Sequence, residues 1–144
     1  MFVPKLRQWL KRRLAMTTWL NLMVVAAGGA FGSVSRYVIT VVSATIPGGS
    51  SLVGTTIANV AGCAAIGALG QYILVEGLVS ERTRLAIQVG FLGGLTTFSS
   101  FAAESTALAQ SGRWSTSGVY VVTNLLLCWA ALIVSAALVK GSMT

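Results

Sequence analysis

Residues 93–101 read Gly93-Gly94-Leu95-Thr96-Thr97-Phe98-Ser99-Ser100-Phe101 inside a run otherwise apolar enough to cross a membrane. Glycine costs a helix interior about 1 kcal/mol relative to alanine, so two in succession lower the cost of unwinding. A membrane helix broken there exposes carbonyl and N–H groups that lipid cannot satisfy. They must line a cavity or hold an ion. Freed carbonyls suit a hard monovalent cation such as Na+. Phe98 and Phe101, three residues apart, share a helical face. Each ring offers a negative face to a cation or a positive edge to a small anion. The only carboxylates in the chain are Glu76, Glu81 and Glu104, and Arg36 interrupts the first apolar run. That balance favours the anion.

Three further polar groups fall at membrane depth, where each needs a partner or a water-filled cavity. Arg36, about two-thirds of the way along the first apolar run, either snorkels to the far interface or forms an electropositive vestibule. Asn59, central in Thr55-Thr56-Ile57-Ala58-Asn59, is either helix–helix glue or a donor aimed into a pathway. Glu104 follows the break by about a turn and can pair with Arg36, accept from hydroxyls, or line a pore end. Cys63 and Cys128 sit in apolar runs without CxxC spacing and read as small buried residues. With no His and no Asp, His-based acid–base catalysis and the common metal sites are excluded, so no enzyme is expected.

The elements that position these groups follow from composition. In 144 residues, 55% are hydrophobic and 9% charged, with a mean hydropathy of +0.81, which is the composition of a membrane protein. Charge-free stretches of 22, 39, 19 and 26 residues meet the roughly 20 that a spanning helix requires. They predict an all-α chain with four transmembrane helices, at about Trp19–Val42, Ser51–Val75, Thr83–Ala109 and Trp114–Val139, the third broken. Residues 19–141 form a single four-helix transmembrane domain. Residues 1–18 form a basic N-terminal segment, retained rather than cleaved because no A-x-A site is evident. Within it, residues 4–17 predict an amphipathic interfacial helix with Leu6, Trp9, Leu10 and Leu14 on one side. The net charge of +7 points to anionic lipid rather than nucleic acid, because no soluble basic face exists. Lys5, Arg7, Lys11, Arg12, Arg13, Arg82, Arg84 and Lys140 fall on the side of the termini and Arg113 alone on the other, which places both termini in the cytoplasm. Gly28 with Gly32, and Gly54 with Ala58 and Gly62, stand four apart as close-packing surfaces.

The run from Gly90 to Phe101, with Glu104 beyond it, closely resembles the signature of the Fluc (CrcB) fluoride channels. The likeness extends to Arg36 in the first helix, Asn59 in the second, and the Gly-Val-Tyr run ending at Tyr120 in the fourth. It implies an antiparallel (inverted), dual-topology dimer in the cell inner (plasma) membrane that passively exports fluoride through two pores at the subunit interfaces. It implies a structural Na+ on the two-fold axis, held by the carbonyls of Gly93 and Thr96. Phe98 and Phe101 would turn ring edges toward fluoride, with Ser99, Asn59, Tyr120, Arg36 and Glu104 along its path. Ala102 stands where the family often has Ser, and Asn124 where relatives carry a small hydroxyl residue. Asn124 is then a compensating donor. The Lys/Arg imbalance raises the expectation that the second subunit is an oppositely oriented homologue rather than an identical copy. A small multidrug-type proton-coupled antiporter also uses four helices, but it needs a carboxylate in the first helix, and none is present.

Overall fold

The computed structural model describes residues 19–77 and 79–143. The expected amphipathic segment at residues 4–17 lies outside the described residues. Four apolar helical spans follow one another: Trp19–Thr45, Ser51–Glu76, an interrupted third span over Glu81–Gln110, and Trp114–Ser142. Each lies within three residues of its sequence-based bounds. Local chemistry sets the ends. Ser50 and Ser80 are extended N-caps whose side chains accept from Val53 N–H and Thr83 N–H. Gly77, at φ 63°, closes the second span by donating its N–H to the Ile73 carbonyl.

The third span contains most of the irregularity. After a turn of α-helix at Glu81–Arg84 it widens into a π-helix over Leu85–Leu92, returns to α at Gly93–Leu95, and restarts at Phe98–Gln110. Thr96 (φ −83°, ψ 150°) and Thr97 (φ −148°, ψ 121°) are extended between the pieces. The break falls within the expected stretch, at its C-terminal end. Gly93 and Gly94 stay helical, while the two β-branched threonines, which favour extended backbone, carry the interruption. Gly94 serves close approach instead: a Cβ there would lie 2.6 Å from the Gly29 carbonyl oxygen.

Before the break, the third span packs against the first span; after it, Phe98–Gln110 packs against the fourth. The second span packs mainly on the fourth and joins the two halves. Two small cores result. Ala58, Leu92 and Leu95 lie on one side of the break, and Phe101, Leu108 and Tyr120 on the other. The expected small-residue surfaces do bring backbones together. A Cβ on Gly28 would lie 2.9 Å from Phe91 N, and one on Gly32 at 2.9 Å from Leu95 N. On Gly54 it would lie 2.6 Å from Thr40 Cα, and Ala58 has no exposed surface. Such contact replaces the hydrophobic drive that lipid removes.

This packing makes Gly32→Val a stringent substitution, because its new atoms meet main chain that cannot turn aside. The expected cost is about 1–3 kcal/mol, the usual range for overpacking, read as a lowered unfolding midpoint in detergent. Gly70→Ala, with nothing within 4 Å of its new methyl, is the control and should leave the midpoint unchanged or slightly raised.

Candidate functional site

The interruption strands backbone groups at membrane depth, and side chains from two other spans take them up. Thr97 N–H donates to Asn59 Oδ1 at 2.7 Å, while Asn59 Nδ2 donates to the Thr97 carbonyl at 3.1 Å. One buried amide thus pairs with both polar groups of one residue. Arg36 Nε donates to the Gly94 carbonyl at 3.2 Å, which in an unbroken helix would receive Phe98 N–H. Thr97 Oγ1 accepts Ser100 N–H at 3.1 Å and starts the second half as its N-cap. These substitutions leave the carbonyls of Gly93, Leu95 and Thr96 without their helical donors, and Leu95 is buried. Thr97 N–H no longer serves Gly93, and Ser100 N–H no longer serves Thr96. Gly93 is exposed and Thr96 half-buried.

From Asn59 the network continues toward the fourth span. Asn59 Nδ2 also donates to Asn124 Oδ1 at 3.3 Å, and Asn124 Nδ2 donates to Thr56 Oγ1 at 3.0 Å. Thr56 in turn donates to the Leu52 carbonyl at 2.9 Å. A separate cluster surrounds Glu104, which accepts from Thr55 Oγ1 at 3.1 Å and from Tyr120 OH at 2.6 Å. Of the three partners open to Glu104, hydroxyls are the ones it has, with both oxygens engaged. Arg36 is committed to the break. Among the described residues, no buried side-chain nitrogen or oxygen lacks a hydrogen-bond partner.

Phe98 and Phe101 touch, with ring centres 5.6 Å apart and planes at 58°, and Phe101 continues to Tyr120 at 5.4 Å and 50°. Their shared face divides, however. Phe101 is 5% exposed and sits in the core, whereas Phe98 is 74% exposed at the surface. Beside them runs an open groove of about 260 Å³ whose walls include Asn59, Thr96, Thr97, Phe98, Phe101 and Asn124. A second groove, of about 350 Å³, is lined by Thr56, Thr116, Tyr120 and Thr123 among others. The Asn124–Thr56 hydrogen bond connects the two. Ser99 is exposed and its hydroxyl lies 3.2 Å from Thr97 Oγ1, outside the lining of the first groove.

Two features differ from, or add to, the sequence reading. Cys63 and Cys128 are half-buried groove residues rather than buried core. Their apolar neighbours face lipid-exposed surface on a bundle this thin, so apolar flanks do not imply burial. Thr55, Thr56 and Thr97 were not singled out, yet each holds a site residue. Thr55 and Thr56 stand four and three residues before Asn59, hence on its helical face, and that spacing was the available signal.

Comparison with known proteins follows this geometry. The chain matches the family described as "CrcB-like protein, Camphor Resistance (CrcB)" over residues 23–136. It is 39% identical over 143 residues to a protein named "Fluoride-specific ion channel FluC" from Rhodopirellula baltica, covering 88% of this chain and 98% of that one. Proteins of the same name from Paramagnetospirillum magneticum and Rhizobium johnstonii are 40% and 35% identical. The first alignment covers 78% of this chain and 90% of the relative, the second 85% and 98%.

The Asn59–Thr97 pairing has a measurable weight. Asn59→Leu leaves both Thr97 backbone groups without their amide, and the expected loss is about 1–3 kcal/mol for an unsatisfied buried group. Thermal unfolding in detergent checks it, with Ser99→Ala, at an exposed hydroxyl, expected to match the parent. An unchanged midpoint for Asn59→Leu would mean that the pairing holds nothing.

Proposed function

The chain belongs to the CrcB family, and we propose that it is a fluoride-selective channel in the cell membrane, carrying fluoride passively out of the cytoplasm along the groove beside Phe98 and Phe101. The observation that carries this reading is the groove's wall: two amides, two threonines and two aromatic rings set in an otherwise apolar lining at membrane depth, with no fixed charge among its lining residues. Fluoride is small and strongly hydrated. A conducting path must replace its water with several modest donors, none strong enough to trap it. Asn124 offers an N–H beyond the one given to Thr56. Asn59 has both N–H groups engaged and can meet an ion only by releasing one, for which the 3.3 Å bond to Asn124 is the weaker candidate. Arg36, bound to the break carbonyl, adds positive potential nearby, and Tyr120, which lines the second groove, is held by Glu104, itself bonded to Thr55.

The carbonyls of Gly93 and Thr96 fit a structural Na+, because both have lost their helical donors and neither residue is buried, unlike Leu95 between them. Carbonyl oxygens are the ligand type that holds Na+ at helix interruptions in membranes. When bound, Na+ supplies a fixed positive charge and ties together the elements that share it. Two carbonyls are too few to complete its coordination alone. A second subunit related by a two-fold axis would bring the same pair. That subunit would also cover the exposed backbone at Gly93, which is poorly placed against lipid, and with it the exposed ring of Phe98. We read the assembly as an antiparallel dimer. With eight Lys and Arg on the side of the termini against Arg113 on the other, this chain inserts mainly with its termini in the cytoplasm and pairs with an oppositely oriented homologue.

Reconstituted into liposomes with its partner subunit, the protein should release loaded fluoride far faster than empty vesicles do. Phe98→Ile should slow that release at least about tenfold, equivalent to about 1.4 kcal/mol in the barrier, while the dimer stays assembled by size exclusion. Undiminished release would make the ring mere packing. A C-terminal orientation reporter in cells should read predominantly cytoplasmic; equal populations on both sides would contradict the single-orientation assignment.

A further inference from the structure

The second and fourth spans run parallel in a register that repeats every turn. Asn59 meets Asn124, and a Cβ on Gly67 would meet the Leu132 carbonyl; both pairs are 65 residues apart in sequence. Cys63 and Cys128 have the same separation and fall on the turn between them. That register sets the two thiols on facing turns of the two spans, and Cys128 Sγ lies 3.7 Å from Asn124 Oδ1. Both line the 260 Å³ groove and both are part-exposed, so the pair is reachable through that opening.

We propose that Cys63 and Cys128 form a binding site for a soft, two-coordinate metal cation inside this groove. The chemistry follows from the donor set. Thiolates select soft cations, and among the described residues no group of three or more His, Cys, Asp or Glu side chains exists to complete a tetrahedral zinc site. Two sulfurs on facing helices satisfy a linear d10 ion and nothing of higher coordination number. With Hg2+ as the probe, two S–H bonds break, two Hg–S bonds form, and two protons leave to water without any change of oxidation state. The product carries no net charge, which suits a low-dielectric wall where an isolated ion would be strongly disfavoured. A metal held there stands one turn from Asn124. The assignment is independent of which ion the groove conducts.

The test uses the full chain in detergent, freed of reducing agent and titrated with mercuric chloride. Remaining thiols are counted after denaturation. The chain has two cysteines, so a shared site predicts that both are lost together at one Hg2+ per chain, with no mercury-linked dimers on a non-reducing gel. Cys63→Ala and Cys128→Ala should each bind about a hundredfold or more weakly against a monothiol competitor, since the second sulfur acts at high effective concentration. Consumption of two equivalents per chain, bridging between chains, or parental affinity in either single variant would overturn the proposal. The stoichiometry arm needs only the unmodified protein and stands even if a variant fails to fold.

Discussion

A backbone polar group inside a bilayer has no water to turn to, and that constraint organises this molecule. At Thr96 and Thr97 the helical ladder stops where lipid would leave it bare. Asn59 answers by pairing with both polar groups of Thr97, Arg36 answers at Gly94, and Thr97 caps the helix that restarts. The first two need another span brought very close. The glycine contacts at Gly28, Gly32, Gly54 and Gly94 provide that approach. The third span exchanges the first span for the fourth as its neighbour at the same point, so the interruption is also the hinge of the packing scheme.

Much of this was legible before any coordinates. Charge gaps placed the four spans to within three residues, because a spanning helix has a length imposed from outside. Four-residue glycine spacing marked the close contacts for a comparable reason: close approach demands a missing side chain. The stretch that breaks was legible too, but not which of its residues unwind. Glycine propensity pointed to Gly93 and Gly94, yet packing against Gly29 holds Gly94 helical and the β-branched threonines yield instead. The π-helix at Leu85–Leu92 left no trace in hydropathy, since its register depends on how Gly90 meets Val25 and Gly28. Likewise, Phe98 and Phe101 share spacing but not burial, because the bundle covers only one of them.

That uneven coverage links structure to function. A chain with four thin, largely exposed spans keeps its polar network inside, yet leaves Phe98, Gly93 and the mouth of a donor-lined groove on an outer face. Such a face is consistent with a surface completed by a second subunit. In the proposed dimer the groove would become an enclosed path, with the Asn59 and Asn124 amides, the threonines and the rings of Phe98 and Phe101 set in its apolar wall. Neutral donors of this kind discriminate by the size and hydration of the anion rather than by charge alone.

Selectivity is therefore where the account is most exposed. Current recorded across a planar bilayer containing the assembled protein, under opposed fluoride and chloride gradients, tests it most directly. The reversal potential should follow the fluoride gradient and ignore chloride. A potential that tracks chloride, or a conductance no greater than that of the bare bilayer, would contradict the assignment of the groove as a fluoride path.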